Sequence, residues 1–192
     1  METGLIIGAD EFFGLTLCEY MMKEGIQVDI TCPPALIEQK KMLLEERMMW
    51  LGRNDLIHVI DIQDGKETYD LIFIQSEESN KRRLDIKAKH GMYRLLFGEH
   101  EDEPFEQNVP AIILPRMYGP WTLDQERRTY SGDSFYVEDV AGALLRWTLC
   151  TDQRQEMIHQ LKVERQTDDK QAEKMIVDWE RQNSTFFDKN QE

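Results

Sequence analysis

Short continuous apolar runs along this chain are separated by longer stretches whose apolar positions recur every three or four residues. The first run, Gly4-Leu5-Ile6-Ile7-Gly8, predicts a buried strand over 4–8. A helical pattern follows, with Phe13, Leu17, Tyr20 and Met21 on one side, and Gly25 ends it. Residues 26–30 predict a second strand, stopped by Pro33-Pro34, which completes a strand–helix–strand unit of about 30 residues. Residues 35–51 predict a second helix. Leu36, Leu43 and Trp50 repeat every seven residues, as do Ile37, Leu44 and Leu51, and together they define an apolar stripe.

Further strands are predicted over 56–60, 71–74 and 111–114. The run Leu71-Ile72-Phe73-Ile74 is apolar throughout, as in a strand covered on both faces. Residues 76–90 are charged and poorly patterned, a short helix is predicted over 91–98, and Glu99 to Pro104 reads as a solvated loop. Beyond the turn signal Tyr118-Gly119-Pro120, a helix is predicted over Val137 to Leu149, a strand over Ile158 to Val163, and a last helix over 169–182. Strands alternating with helices imply an α/β domain, a single Rossmann-like unit over 1–183 with a mostly parallel sheet and helices on both faces. Residues 184–192 read as a frayed tail.

Charge narrows the function classes. The net charge of −14 repels phosphate backbones and anionic bilayers, so nucleic acid and membrane surfaces are excluded as partners. The polar start and the absence of a long apolar stretch predict neither a secretory leader nor a membrane span. Cys18, Cys32 and Cys150 are scattered and odd in number, which predicts buried free thiols in a reducing cytoplasm. His58, His90, His100 and His159 show no metal-ligand spacing, and His100 sits within a run of acids that reads as solvated. The many methionines read as core filling or as an adaptable partner surface.

Four segments occur in a telling order. Gly8-Ala9-Asp10-Glu11-Phe12-Phe13-Gly14 follows the first strand, Asp61-Ile62-Gln63-Asp64 the third, and Tyr118-Gly119-Pro120 the fifth. Phe135-Tyr136-Val137-Glu138-Asp139-Val140 then opens a helix. Together they resemble the extended short-chain dehydrogenase/reductase family, the NAD-dependent epimerase/dehydratase group, in shortened and degenerate form. The resemblance implies a dinucleotide fold in which Gly8, Gly14 and Asp61 are the cofactor-binding positions and NAD or NADP is the cofactor.

The departures point the other way. The family's glycine pattern needs a second Gly where backbone meets pyrophosphate, and Glu11 stands there beside Asp10. Two carboxylates would face a dianion at a helix N-terminus. That repulsion is on the order of 1–4 kcal/mol at effective dielectrics between water and a protein surface, roughly ten- to thousand-fold in affinity. Where the family carries a ribose-binding Asp, or an Arg for a 2′-phosphate, this chain has Cys32-Pro33.

The family's catalytic Tyr and the Lys four residues on are also missing. Counted back from Gly98-Glu99, their places fall on Gly91 and Leu95, and the region between Ile74 and residue 111 is too short for the usual long helix and serine-bearing strand. The reading is therefore a non-catalytic member with a binding, regulatory or scaffolding role. The alternative is an active NAD(P)-dependent oxidoreductase or epimerase with Tyr93 as acid/base, although without an adjacent cation a Tyr keeps its ordinary pKa of ~10.

Each candidate also has a structural reading. Gly8 and Gly14 serve the turn alone, Asp61 closes a turn, and Arg116 pairs with a carboxylate rather than a ligand. A homodimer, a protein partner and a small nucleotide-like ligand stay open as partners. The shortened region exposes part of a sheet face for self-association.

Overall fold

Leu5, Ile6 and Ile7 alternate between two apolar layers, which is the period-two geometry of a strand buried on both faces. The computed structural model describes residues 1–33, 36–75, 85–97, 109–149 and 157–186. Strands β1 (Thr3–Ile7), β2 (Gln27–Thr31), β3 (Ile57–Val59), β4 (Thr68–Ile74), β5 (Lys87–Phe97), β6 (Ala111–Leu114) and β9 (Ile158–Gln160) form one sheet in the order β3-β2-β1-β4-β5-β6-β9. Every pair in it is parallel. The order reverses beside β1, which places the topological switch point at the C-terminal ends of β1 and β4. Two short strands, β7 (Met117–Tyr118) and β8 (Phe135–Tyr136), pair separately. This is the Rossmann-like α/β architecture expected from the alternating pattern.

On one face, Ile6, Ile30, Phe73, Leu95 and Ile112 pack beneath helices α1 (Phe13–Lys23), α2 (Glu38–Leu51) and α4 (Val137–Leu149). On the other, Leu5, Ile7, Tyr69, Ile72 and Ile74 pack with Ile60, Ile62 and Ile86 from the connections, including the 3₁₀ turn Ile62–Asp64. These sheet residues are buried within the single chain, so their face is not bare. The short helix α3 (Gln125–Arg128) and helix α5 (Asp169–Gln182) complete the order. Ala172 and Ile176 of α5 close over Tyr118 and Tyr136, and Asp168 caps the helix by accepting from the Lys170 and Gln171 amides. Asp139, in the first turn of α4, accepts from the Gln166 and Thr167 amides and so fastens the approach to α5. Among the described residues, no helix is long and apolar enough to cross a membrane.

Three expectations are corrected. Residues 91–97 belong to β5, not a helix. They are hydrogen-bonded between β4 and β6, with Tyr93 and Leu95 turned into the core, a pairing that no local pattern announces. The region between Ile74 and residue 111, expected to be too short for a strand, therefore contains one. The connections flanking β5 have 12 and 13 residues, near the minimum for a parallel crossover. The α2 stripe is also displaced. Its buried face is Leu43, Leu44 and Arg47, whereas Ile37 and Trp50 are 63% and 65% exposed. Cys18 is buried, but Cys32 is exposed. Residues 99–104, with His100, and Cys150 lie outside the described residues, as does the tail beyond 186.

Candidate functional site

The crevice at the switch point begins with Gly8, whose φ of +74° turns the chain out of β1 in a conformation that L side chains rarely adopt. The turn is tied to the end of β2. The Gly8 amide donates to Thr31 Oγ1 at 2.9 Å, and the Ala9 amide donates to the Thr31 carbonyl at 2.8 Å.

Asp10 then folds back over the start of α1. Its Oδ1 accepts from the Phe13 amide at 2.8 Å and the Gly14 amide at 2.7 Å. Helix N-termini leave such amides unsatisfied, and in dinucleotide folds they receive phosphate. Here the chain's own carboxylate receives them. Gly14 is needed for close packing: a Cβ there would lie 2.6 Å from Ala9 Cα and closer still to the Gln75 side chain. Gly14→Ala should cost about 1–3 kcal/mol and lower Tm by roughly 2–12 °C in a thermal melt.

Glu11 occupies the second glycine's place and is 3% exposed. Its Oε2 accepts no hydrogen bond among the described residues, and its Oε1 lies 3.8 Å from Lys40 Nζ. Burial pushes the carboxyl above its ordinary value, Asp10 adds to the rise, and Lys40 and Arg127 oppose it. Between the ordinary and the raised value, the folded state holds a proton that the unfolded state releases, so stability falls as pH rises through that window. Glu11→Gln should therefore raise Tm at neutral pH, and the gain should vanish below the ordinary value of 4.5. Melts across the acid range check this.

Arg47, which sequence reasoning missed, holds the turn from the α2 side. It is 3% exposed. Nη1 donates to the carbonyls of Glu11 and Phe12, and Nη2 donates to Thr16 Oγ1 at 2.9 Å and Glu19 Oε1 at 2.7 Å. One guanidinium thus locks the turn between β1 and α1, α1 itself and α2 together.

The remaining candidates are dispersed. Asp61 is exposed at the start of the 3₁₀ turn, its backbone carbonyl accepting from the Asp64 amide. Cys32 is exposed at the end of β2. Tyr93 is 2% exposed in the middle of β5, its ring 5.3 Å edge-on to Trp147 and 6.2 Å from Phe73, a core position under α4. Arg116 pairs with Asp133 at 3.4 Å, both well exposed. Arg116 and Arg127 line a cleft of about 650 Å³ between the ends of β5 and β6 and the 124–134 segment, with Phe12, Tyr130 and Ser134. No group of three or more His, Cys, Asp or Glu suited to a metal occurs among the described residues.

No protein-family model matches the chain. Its fold is similar to that of dTDP-glucose 4,6-dehydratase from Bacillus anthracis in complex with NAD (TM-score 0.63, 11% identity, 97% of this chain and 98% of that one). It is similar also to vestitone reductase from alfalfa (TM-score 0.57, 10% identity, 96% and 99%). UDP-glucuronic acid 4-epimerase from Bacillus cereus in complex with NAD gives a TM-score of 0.56 at 13% identity, over 83% of this chain and 78% of that one. At these identities the likeness is one of fold. In sequence, the chain is 39% identical over 194 residues to the uncharacterized protein YjaV of Bacillus subtilis (strain 168), covering 98% of this chain and 100% of that one. The chain belongs to the family of YjaV, on a fold shared with NAD-dependent epimerases, dehydratases and related reductases.

Proposed function

We propose that this chain is a non-catalytic member of the fold, with a binding, regulatory or scaffolding role that does not use a nicotinamide dinucleotide. The observation that carries the reading is the Asp10 carboxylate on the Phe13 and Gly14 amides. NAD or NADP does not fit the residues present: the anion position is taken, Glu11 fills the approach, and Cys32 offers no ribose carboxylate. The lone tyrosine between Ile74 and Ala111 is Tyr93, which packs in the core. The scaffolding role is supported by the outer side of α2, where Met49 and Trp50 stand well exposed. Sedimentation as a strict monomer would remove its homodimeric form. Turnover of an alcohol or nucleotide-sugar with NAD(P)H by the purified protein would overturn the non-catalytic reading.

A second reading, a small anionic or nucleotide-like ligand, is favoured by Arg116 and Arg127 in the wall of the 650 Å³ cleft. Saturable binding of a nucleoside monophosphate, lost in Arg116→Ala, tests it.

A further inference from the structure

A separate cleft of about 330 Å³ opens where α5 lies beside the start of α1 and the turn at Pro120-Trp121. Its apolar wall is Trp121 and Trp179, with ring centroids 5.6 Å apart, together with Met175. Its polar wall is acidic: Glu19, Glu138 and Asp178.

The cleft already displays the chemistry it suits. The Arg47 guanidinium lies 5.3 Å over the Trp121 ring, a cation held on an aromatic face. Arg47 and Glu19 neutralise each other at 2.7 Å. The other two carboxylates are poorly matched. Asp178 reaches Arg181 only at 3.9 Å on the exposed side of α5. Burial raises the pKa of the Tyr20 phenol, Glu138 lies close enough to raise it further, and no ion pair engages Glu138 among the described residues. Two poorly compensated negative charges therefore face a cavity walled by two indoles and a thioether. Aromatic faces attract cations through their quadrupole, and carboxylates at the rim reinforce that attraction where water is partly excluded.

We propose that this cleft binds a small organic cation, its guanidinium or amine group held against Trp121 and Trp179 and its charge met by Glu138 and Asp178. This is independent of the dinucleotide crevice and of the Arg116–Arg127 cleft. Size limits the ligand to a short chain with one or two positive charges.

Agmatine, which carries a guanidinium, an amine and no carboxylate, is the probe. Calorimetric titration into the full chain at low salt should show saturable one-to-one binding. Asp178→Asn should weaken it about ten-fold, the loss of one close charge contact in a partly desolvated site. Asp178 is half-exposed, so the variant should keep the wild-type melting curve. Asp64→Asn makes the same change in charge at an exposed position outside the cleft and should leave affinity within about two-fold, the weak effect of a screened, distant charge. Absence of saturable binding at millimolar agmatine would overturn the proposal. Equal weakening in the two variants would also overturn it, because the cation would then be held diffusely by an acidic protein.

Discussion

Replacing Asp10 by Ala and Glu11 by Gly together should raise affinity for NAD by roughly ten- to thousand-fold, measured by calorimetric titration of both proteins. Three changes act in the same direction. Removing Asp10 frees the Phe13 and Gly14 amides that it now satisfies, and these point outward from the N-terminus of α1. Removing Glu11 clears a buried side chain from the place where backbone must meet pyrophosphate. Lys40 and Arg127, which now favour the buried Glu11 charge, become available to an incoming anion. The helix loses its cap, at a cost of about 1 kcal/mol. Loss of a buried, poorly partnered carboxylate offsets that cost, so the double variant should still fold. Failure of the variant to gain affinity would place the obstruction elsewhere, with Cys32 and Pro33 the next positions to change.

The largest loss of stability is expected at Arg47. Arg47→Met keeps much of the apolar stem but removes every donor. The Glu11 and Phe12 carbonyls and Thr16 Oγ1 then lose the bonds the guanidinium donates, Thr16 Oγ1 keeps only its own bond to the Phe12 carbonyl, and Glu19 loses its cation. Breaking a buried pair by removing one partner costs about 3–5 kcal/mol. For a chain this size that lowers Tm by roughly 6–20 °C. Arg47→Lys should not rescue it, because a single ammonium cannot reproduce the planar fork that reaches the Glu11 and Phe12 carbonyls and Thr16 at once. An Arg47→Lys variant as stable as the wild type would show that packing, not the hydrogen-bond fork, holds the loop.

Arg47 also marks where the sequence stopped being legible. The bounds of α4 and α5 could be read from it, because Val140, Leu144 and Ala172, Ile176, Trp179 keep a clean helical period. The α2 stripe could not, because its inward face is completed by a charged residue. Nothing local marks an arginine as buried when its acceptors lie 28 to 36 residues away, in α1 and the turn before it. Residues 91–97 failed for a different reason. Met92, Leu95 and Leu96 fit a helical period by chance, and only pairing with strands on both sides decides the matter.

At the crevice, the glycine pattern and its departure at Glu11 were visible in the sequence. The response of the fold was not. Asp10 was expected to repel a phosphate, and the structure shows its carboxylate engaged on the amides that a phosphate would use. In the proposed reading, that difference separates a weakened site from one closed by the protein's own side chain.

Thermal unfolding of the wild-type chain with and without millimolar NAD(H) and NADP(H) tests that closure most directly. A ligand at 100 times its dissociation constant adds ~2.7 kcal/mol, a rise in Tm of roughly 5–11 °C for a chain of this size. A capped and acid-filled helix N-terminus predicts no shift with any of the four nucleotides. A rise of several degrees with any one of them would mean that pyrophosphate displaces Asp10, and would contradict the account.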